Sequence, residues 1–308
     1  MDTILSTLQD AFLLTLNYFN SPNKRIYFLY ILSSLVIATL VFYSKRRKYS
    51  IFQYFFNKKI WLSQSAFVDY GLLFFNSLIK ILFIGPLLIF SLKIAFYTNE
   101  FLLNYFNYPS FYFSKKAMII IYTLTVFIVV DLFSYLVHLL QHKIAFLWRF
   151  HKVHHAATSL NPITQYRIHP VGLIINNLKA IVVNGLLIGI FDFLAGGRIS
   201  VYTFLSVNVL NFLFMLLGAN LRHSHVKLSY PKFLENVFIS PFQHQIHHSD
   251  NKTHFDKNLG SKLAIWDLLF GTLIKSKEVN KINFGIGEEG KDYDTFLKNL
   301  ISPFMFWK

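Results

Sequence analysis

Five stretches of this chain are apolar for about as long as a bilayer is thick, and that pattern leaves few folds open. A helix needs about 20 mostly apolar residues to span the hydrocarbon layer. The stretches are Ile26 to Tyr43, Phe67 to Tyr97, Ala117 to Leu140, Val171 to Leu194 and Ser200 to Leu217. Gly85-Pro86 marks a kink inside the second, and Gly196-Gly197-Arg198 makes a short turn between the last two. Across all 308 residues, 54% are apolar and only 15% are charged, against about 25% charged in ordinary soluble domains. A soluble domain, a disordered chain and a fibrous protein are poor fits. The expected fold is all-α: an integral membrane helical bundle of four to five transmembrane helices. Residues 1–115 read as an N-terminal membrane region, and 276–308 as a polar C-terminal tail.

The formal charge of +15 then reads as topology rather than as a nucleic-acid footprint, and no nucleic-acid partner is expected. Tyr43 to Phe67, Lys143 to Pro170 and Arg222 to Lys308 together hold 22 of the 30 Lys and Arg residues. Basic residues concentrate on the cytoplasmic side, so these segments are assigned there. Lys24, Arg25, Lys115, Lys116 and Arg198 fall on the opposite side, while Lys80, Lys93 and Lys179 lie inside apolar runs and can snorkel. Ile4 to Tyr18 has the pattern of an amphipathic interfacial helix. No cleavage site follows the first apolar run, so no signal peptide is expected.

Twelve histidines occur, all between His138 and His254, and there is no cysteine. Thiolate zinc sites, iron–sulfur clusters and disulfides are thereby excluded. Eight of the histidines form three clusters: His138-x-x-x-His142, His151-x-x-His154-His155 and His244-x-x-His247-His248. Positions i, i+3 and i+4 share one helix face, so each cluster presents its imidazoles together. Asp131 and Tyr135 lie on the stripe that carries His138. One such pair is often only a polar helix face; three sets in an apolar chain point to metal. Eight imidazoles exceed the four donors of a tetrahedral zinc site and suit two ions of higher coordination number. Imidazole alone does not name the metal. A His-rich metal transporter, a haem membrane protein and a di-zinc hydrolase therefore stand beside an oxygenase at this point.

The order and spacing of the clusters resemble those of the fatty acid hydroxylase/sterol desaturase superfamily of membrane di-iron oxygenases. So does the stretch from Asp256 through Gly260 to Ile265-Trp-Asp-Leu-Leu-Phe-Gly-Thr272. The likeness runs from about Tyr122 to Thr272, roughly half the chain, and implies a di-iron catalytic domain over 116–275. By that resemblance His138, His142, His151, His154, His155, His244, His247 and His248 are metal ligands. His223 stands where members carry a further ligand. His169, in a His-Pro pair, is implied as an extra ligand or an outer partner. His225, often Asn in relatives, and Asp131, an acceptor for a ligand N–H, are further candidates. Asn258, Trp266 and Asp267 are expected to hold the loop around the metals. The implied cofactors are two Fe, with O2 as co-substrate. The implied reaction is hydroxylation of an unactivated C–H bond of a fatty acyl, sterol, hopanoid or alkylglycerol lipid; a second hydrogen loss would instead make a desaturase. The chain has no dinucleotide fingerprint, so electrons are expected from a separate donor, a ferredoxin or a cytochrome with its reductase. The metal site is expected on the cytoplasmic face of a membrane, a bacterial inner membrane in preference to endoplasmic reticulum.

Overall fold

The computed structural model describes residues 2–45, 49–107, 109, 113–197 and 208–305. The described residues form an almost purely helical protein. Helix α1 covers Asp2–Asn20 and α2 covers Phe28–Ser44. A long broken helix, α3, runs over Gln64–Phe106. It is followed by α4 (Lys115–Lys143), α5 (Ala145–His155) and α6 (Pro170–Ala195). The shorter α7 (Val209–Leu216), α8 (Pro241–His247), α9 (Ile265–Leu269) and α10 (Phe296–Met305) follow, and two short helical turns, Ile51–Phe55 and Lys58–Trp61, lie between α2 and α3.

Three helices, α3, α4 and α6, are long and apolar enough to cross a bilayer, and the protein is an integral membrane helical bundle. The apolar α2 has 17 residues, and residues 200–207 of the fifth expected span, with Arg198 of the expected turn, lie outside the described residues. Half of the apolar window of α6 is buried, against 22% in α3 and in α4. Thus α6 is the inner helix and the other two turn most of their surface outward. Close approach of α6 to α3 depends on Gly185 and Gly189. A Cβ at Gly189 would stand 2.4 Å from the Ala95 carbonyl oxygen, and one at Gly185 would stand 2.8 Å from that of Ser91. Small residues four apart are the usual means by which membrane helices pack backbone to backbone.

The expected kink in α3 takes a definite form. A π-helical turn over Lys80–Ile84 passes into a 3-10 turn over Gly85–Leu88. Pro86 has no N–H to continue the ladder, and the mismatch is absorbed by those two turns. Helix α6 ends where Gly196 and Gly197 take left-handed φ values of 61° and 68°.

Two expectations are corrected. Lys24 and Arg25, in the turn between α1 and α2, line a cavity among the helices. Lys80 and Lys179 line that cavity too and do not snorkel outward. The stretch after Lys275 is no free tail. Tyr293 packs with Val68 and Leu72 of α3 and Val153 of α5, and Asn299 of α10 is fully buried.

The clamp joining these parts is Arg167, itself 1% exposed. Its Nε donates to the Val153 carbonyl, its Nη2 to the Tyr293 carbonyl and Asn299 Oδ1, and its Nη1 to Ser65 Oγ and, at 3.4 Å, to Asp69 Oδ1. Removing one member of a buried ion pair costs about 3–5 kcal/mol, because the other charge is stranded. Arg167→Met should therefore lower the unfolding temperature in detergent sharply, and adding Asp69→Asn should recover part of the loss. A variant that melts with the parent protein would show that the clamp is not needed.

Candidate metal centre

The histidines arrive from four directions. The C-terminal turns of α4 present His138 and His142. Ile144 reverses the chain into α5, whose buried face carries His151, His154 and His155. Helix α8 carries His244 and His247, with His248 as its C-cap residue. Its start is fixed by a capping box: Ser240 Oγ accepts from Gln243 N, and Gln243 Oε1 accepts from Ser240 N. Proline at the first helical position adds to that start signal. The 3-10 turn Ala219–His223 supplies His223. Gln245 ties this turn to α8 by donating to the Leu221, Ser224 and Val226 carbonyls.

These nine residues fall into two adjoining groups. His138, His142, His151, His155 and His247 form one; His154, His223, His244 and His248 form the other, each with one ring nitrogen per residue within 4.8 Å of the rest. The groups touch: the His155 and His248 rings stack with centroids 4.7 Å apart, and the His247 and His248 centroids are 5.4 Å apart.

The donor chemistry suits metal ions. Nε2 of His138 lies 3.0 Å from Nε2 of His151, which is 3.2 Å from Nε2 of His155. In the second group, Nε2 of His223 lies 3.2, 3.3 and 3.4 Å from those of His248, His244 and His154. A neutral imidazole has one N–H, so one nitrogen cannot satisfy three such neighbours. Two nitrogens on one ion at about 2.1 Å lie about 3.0 Å apart at right angles and about 3.4 Å apart at the tetrahedral angle. Several ring nitrogens, among them Nε2 of His142 and His247, are buried with no hydrogen-bond partner among the described residues. Burial holds His151, His155, His223, His244, His247 and His248 well below the ordinary imidazole value and brings His154 down to about 4. At neutral pH they are uncharged and offer lone pairs.

Outer partners set the tautomers. The carbonyls of Leu259, Arg167 and Lys257 accept from Nδ1 of His138, His154 and His247 at 2.7, 3.2 and 2.8 Å. A carbonyl only accepts, so Nδ1 carries the proton and Nε2 turns inward. His142 has a carboxylate instead. Its Nδ1 lies 3.2 Å from Asp256 Oδ1, and Lys143 donates to the other oxygen at 2.6 Å. The hydrogen bond from His142, above all, holds Asp256 down to about 2. Asp256 and the three carbonyls are sites that the sequence reading did not single out; only the position of Asp256 at the head of the quoted C-terminal stretch pointed to it.

The loop that carries two of those carbonyls is built as expected of Asn258, Trp266 and Asp267. Asp267 accepts from the amides of Leu259 and Gly260, both at 2.8 Å. Asn258 donates to the Gln243 carbonyl and accepts from Ile274 N. At Gly260 a Cβ would meet the Leu263 carbonyl at 2.6 Å and Asp267 Oδ2 at 2.7 Å, so no side chain fits there.

Three other candidates stand apart from both groups. Asp131 accepts from Leu263 N and Trp266 Nε1 at 2.9 and 3.1 Å; it anchors the loop and is not the acceptor of a clustered histidine. His169 caps α6, its Nδ1 accepting from Val171 N and its Nε2 donating to the Leu300 carbonyl, so both nitrogens are engaged. His225 packs edge-on against Tyr54. His254 bonds Ser249 Oγ, as a loop residue would.

A cavity of about 580 Å³ lies against the histidines on the membrane side, lined by members of both groups: His138 and His151 of the first, His154, His223 and His244 of the second. It adjoins an apolar cleft of about 630 Å³ between α3, α4 and α6; Asn23, Val130, Asn177 and Ala180 border both.

Residues 123–272, which hold all nine clustered histidines, match the model of the fatty acid hydroxylase family. This segment, just under half of the chain, belongs to the fatty acid hydroxylase/sterol desaturase superfamily. Among relatives, it is 30% identical to ornithine lipid hydroxylase OlsE of Rhizobium tropici over 55% of this chain and 46% of that protein. It is 24% identical to human alkylglycerol monooxygenase over 59% of this chain and 36% of that protein. The match to the Caenorhabditis elegans alkylglycerol monooxygenase is 29% over 46% of this chain and 25% of that one. The chain thus spans less than half the length of these relatives. No solved structure matches it.

Replacing an outer partner of a ligating histidine typically costs about 10- to 100-fold in metal affinity. Asp256→Ala, which leaves His142 Nδ1 without its acceptor, should weaken metal retention against a chelator by that amount. Retention equal to the parent's in a chelator competition read by elemental analysis would exclude the role.

Proposed function

We propose that this chain is a membrane di-iron oxygenase that hydroxylates an unactivated C–H bond of a lipid, using O2 and electrons from outside the chain. The observation that carries the reading is the pair of histidine groups opening onto a cavity that continues into an apolar cleft between membrane helices. His138, His142, His151, His155 and His247 would hold one iron, and His154, His223, His244 and His248 the other. Residues 116–275 form the catalytic domain on this reading. The relatives named as hydroxylases or monooxygenases of lipids support the substrate class and the reaction type. When bound, the irons would supply the activation of O2 that converts a C–H bond to C–OH, consuming two electrons and two protons and releasing the second oxygen atom as water.

The chain's own contribution is placement. The carbonyls of Leu259, Arg167 and Lys257 and the Asp256 carboxylate keep the ring nitrogens turned inward. The helices around the cleft present Leu88, Ile89, Leu92, Tyr122 and Phe127 to a hydrocarbon chain. Pockets of this kind, apolar walls with a few fixed polar groups, suit small amphiphiles. The histidines sit at helix ends and not at mid-span, where a transporter would hold its cargo. On the side away from the cavity, Trp148 packs on His142 and His155 with centroids 5.0 and 5.3 Å apart, beside an opening lined by Lys152 and Glu289. A ferredoxin or a cytochrome with its reductase would approach here. The distribution of Lys and Arg supports a cytoplasmic location for this face, and the Rhizobium relative supports a bacterial inner membrane.

The purified protein, loaded with iron and given a reducing system, should retain two irons and add 16 mass units to a lipid substrate. A loss of 2 units would instead make it a desaturase. His154→Ala removes a donor outright, a larger change than losing an outer partner, and should lower product formation by more than about 100-fold. A Soret band, full activity after chelation, or full activity of His154→Ala would overturn the reading.

A further inference from the structure

The cavity beside the histidines is unusually charged for its depth. Lys24, Arg25, Lys80, Lys179 and Arg222 all line it, and Lys262 lines the two cavities that adjoin it. No Asp or Glu of the described residues lines any of the three. The partners these cations have are mostly neutral. The Lys24 ammonium lies 4.8 Å from the centre of the Tyr18 ring, and Lys80 donates to the Tyr18 hydroxyl. Lys179 donates to Ser134 Oγ at 2.8 Å. Arg222 donates to the Ala219 and Ser261 carbonyls. The nearest acid is Asp131, 3.8 Å from Lys262 and already engaged by Leu263 and Trp266. Arg25 lines two of the cavities and keeps exposed surface. One acid therefore stands against six cations in a space that opens on a membrane bundle. Cations at membrane depth are costly without an anionic partner and mark the path of one.

We propose that the substrate is an amphiphile with an anionic head, a carboxylate or a phosphate monoester. The cavity cations neutralise the head beside the histidines, and the hydrocarbon chain lies in the apolar cleft between α3, α4 and α6. Two placements support this orientation. The cations and the histidines share one cavity, whereas the cleft that would take the chain is lined mainly by Leu, Ile, Val, Tyr and Phe. Leu88 and Ile89, at the mouth of the cleft, are 56% and 51% exposed, so a chain can enter sideways from the bilayer. With the head held there, the C–H bonds nearest the histidines are those a few bonds from the head, not those at the far end of the chain. The inference rests on the oxygenase reading only for this last point.

The test uses the full chain, without metal, in detergent, and three radiolabelled ligands with the same hydrocarbon chain: palmitate, hexadecyl phosphate and 1-O-hexadecylglycerol. At least one anion should bind about 30-fold more tightly than the neutral ether, the scale of one buried charge pair, and the tighter of the two identifies the head. Arg25→Gln and Lys179→Met should each remove most of that preference, with the folding of each variant checked by its unfolding temperature in detergent. Equal affinity of the wild-type protein for all three heads overturns the proposal whatever the variants do, as does an anion preference that survives both substitutions. Because binding is measured without metal, its outcome is separate from the oxygenase assay. Anion preference in a protein that is inert with iron would defeat only the oxygenase reading, and hydroxylation of neutral lipids without anion preference would defeat only this one.

Discussion

Nine uncharged imidazoles turn their ring nitrogens toward one another inside this protein, several at 3.0–3.4 Å. Lone pair against lone pair repels, and one N–H per ring is too few to bridge them all. The arrangement favours positive charge among the nitrogens, and the surrounding structure keeps them facing inward. Four outer acceptors hold protons on the far nitrogens of His138, His142, His154 and His247. Those acceptors are fixed in turn by groups that never touch a histidine. Asp267 locks the amides beside the Leu259 carbonyl, and the guanidinium of Arg167 holds its own backbone carbonyl opposite His154. Stability and site geometry are thus one network: the buried Arg167 clamp joins α3, α5 and the C-terminal stretch, and it also positions a proton acceptor.

Much of this was legible in the sequence because the signals are periodic. The i, i+4 spacing of His138 and His142 and the i, i+3, i+4 spacing of the other two clusters specify shared helix faces, and the structure has helices at each. The convergence of the three clusters followed from the number of imidazoles, since each needs a partner in an apolar chain. What the spacing could not give is the partition, five histidines in one group and four in the other, with the neighbours His154 and His155 divided between them. Adjacent residues on a helix point about 100° apart, so a doublet can serve two centres, but which member faces which depends on how α5 crosses α8. Tertiary acceptors such as Leu259 and Lys257 carry no side-chain signal, because a carbonyl is the same on every residue. Asp131 shows the reverse. It lies on the right stripe of α4, yet it accepts from Leu263 and Trp266 because the loop reaches it first.

The charge reading failed at particular places for a physical reason. Counting Lys and Arg by segment assumes that a charge near an apolar run goes to the nearer water. Lys80 and Lys179 go inward instead, to a cavity that the turn between α1 and α2 also lines. Lys80 stands in the π-helical turn of α3, where the helix is already broken and its side chains are turned off their regular stripe. A kink legible from Gly85-Pro86 and a lysine that seemed to need snorkelling are therefore parts of one feature.

The chain divides its labour along the same line. The segment that matches the family, residues 123–272, supplies every clustered histidine together with Lys179, Arg222 and Lys262. The part before it supplies Asn23, Lys24, Arg25 and Lys80, and Leu88, Ile89 and Leu92 of the cleft. Chemistry common to a family needs a fixed set of groups, and the clustered histidines lie within the matched half. Choice of lipid needs walls and head contacts, and many of those would come from the part outside the matched segment. A single fold can then keep its metal geometry while its N-terminal region changes which head is tolerated and how far the chain reaches. On this view α1 and α2 are not merely an anchor. Their turn closes the cavity with charge, and shifting Lys24 and Arg25 would alter the head that binds without moving a single histidine.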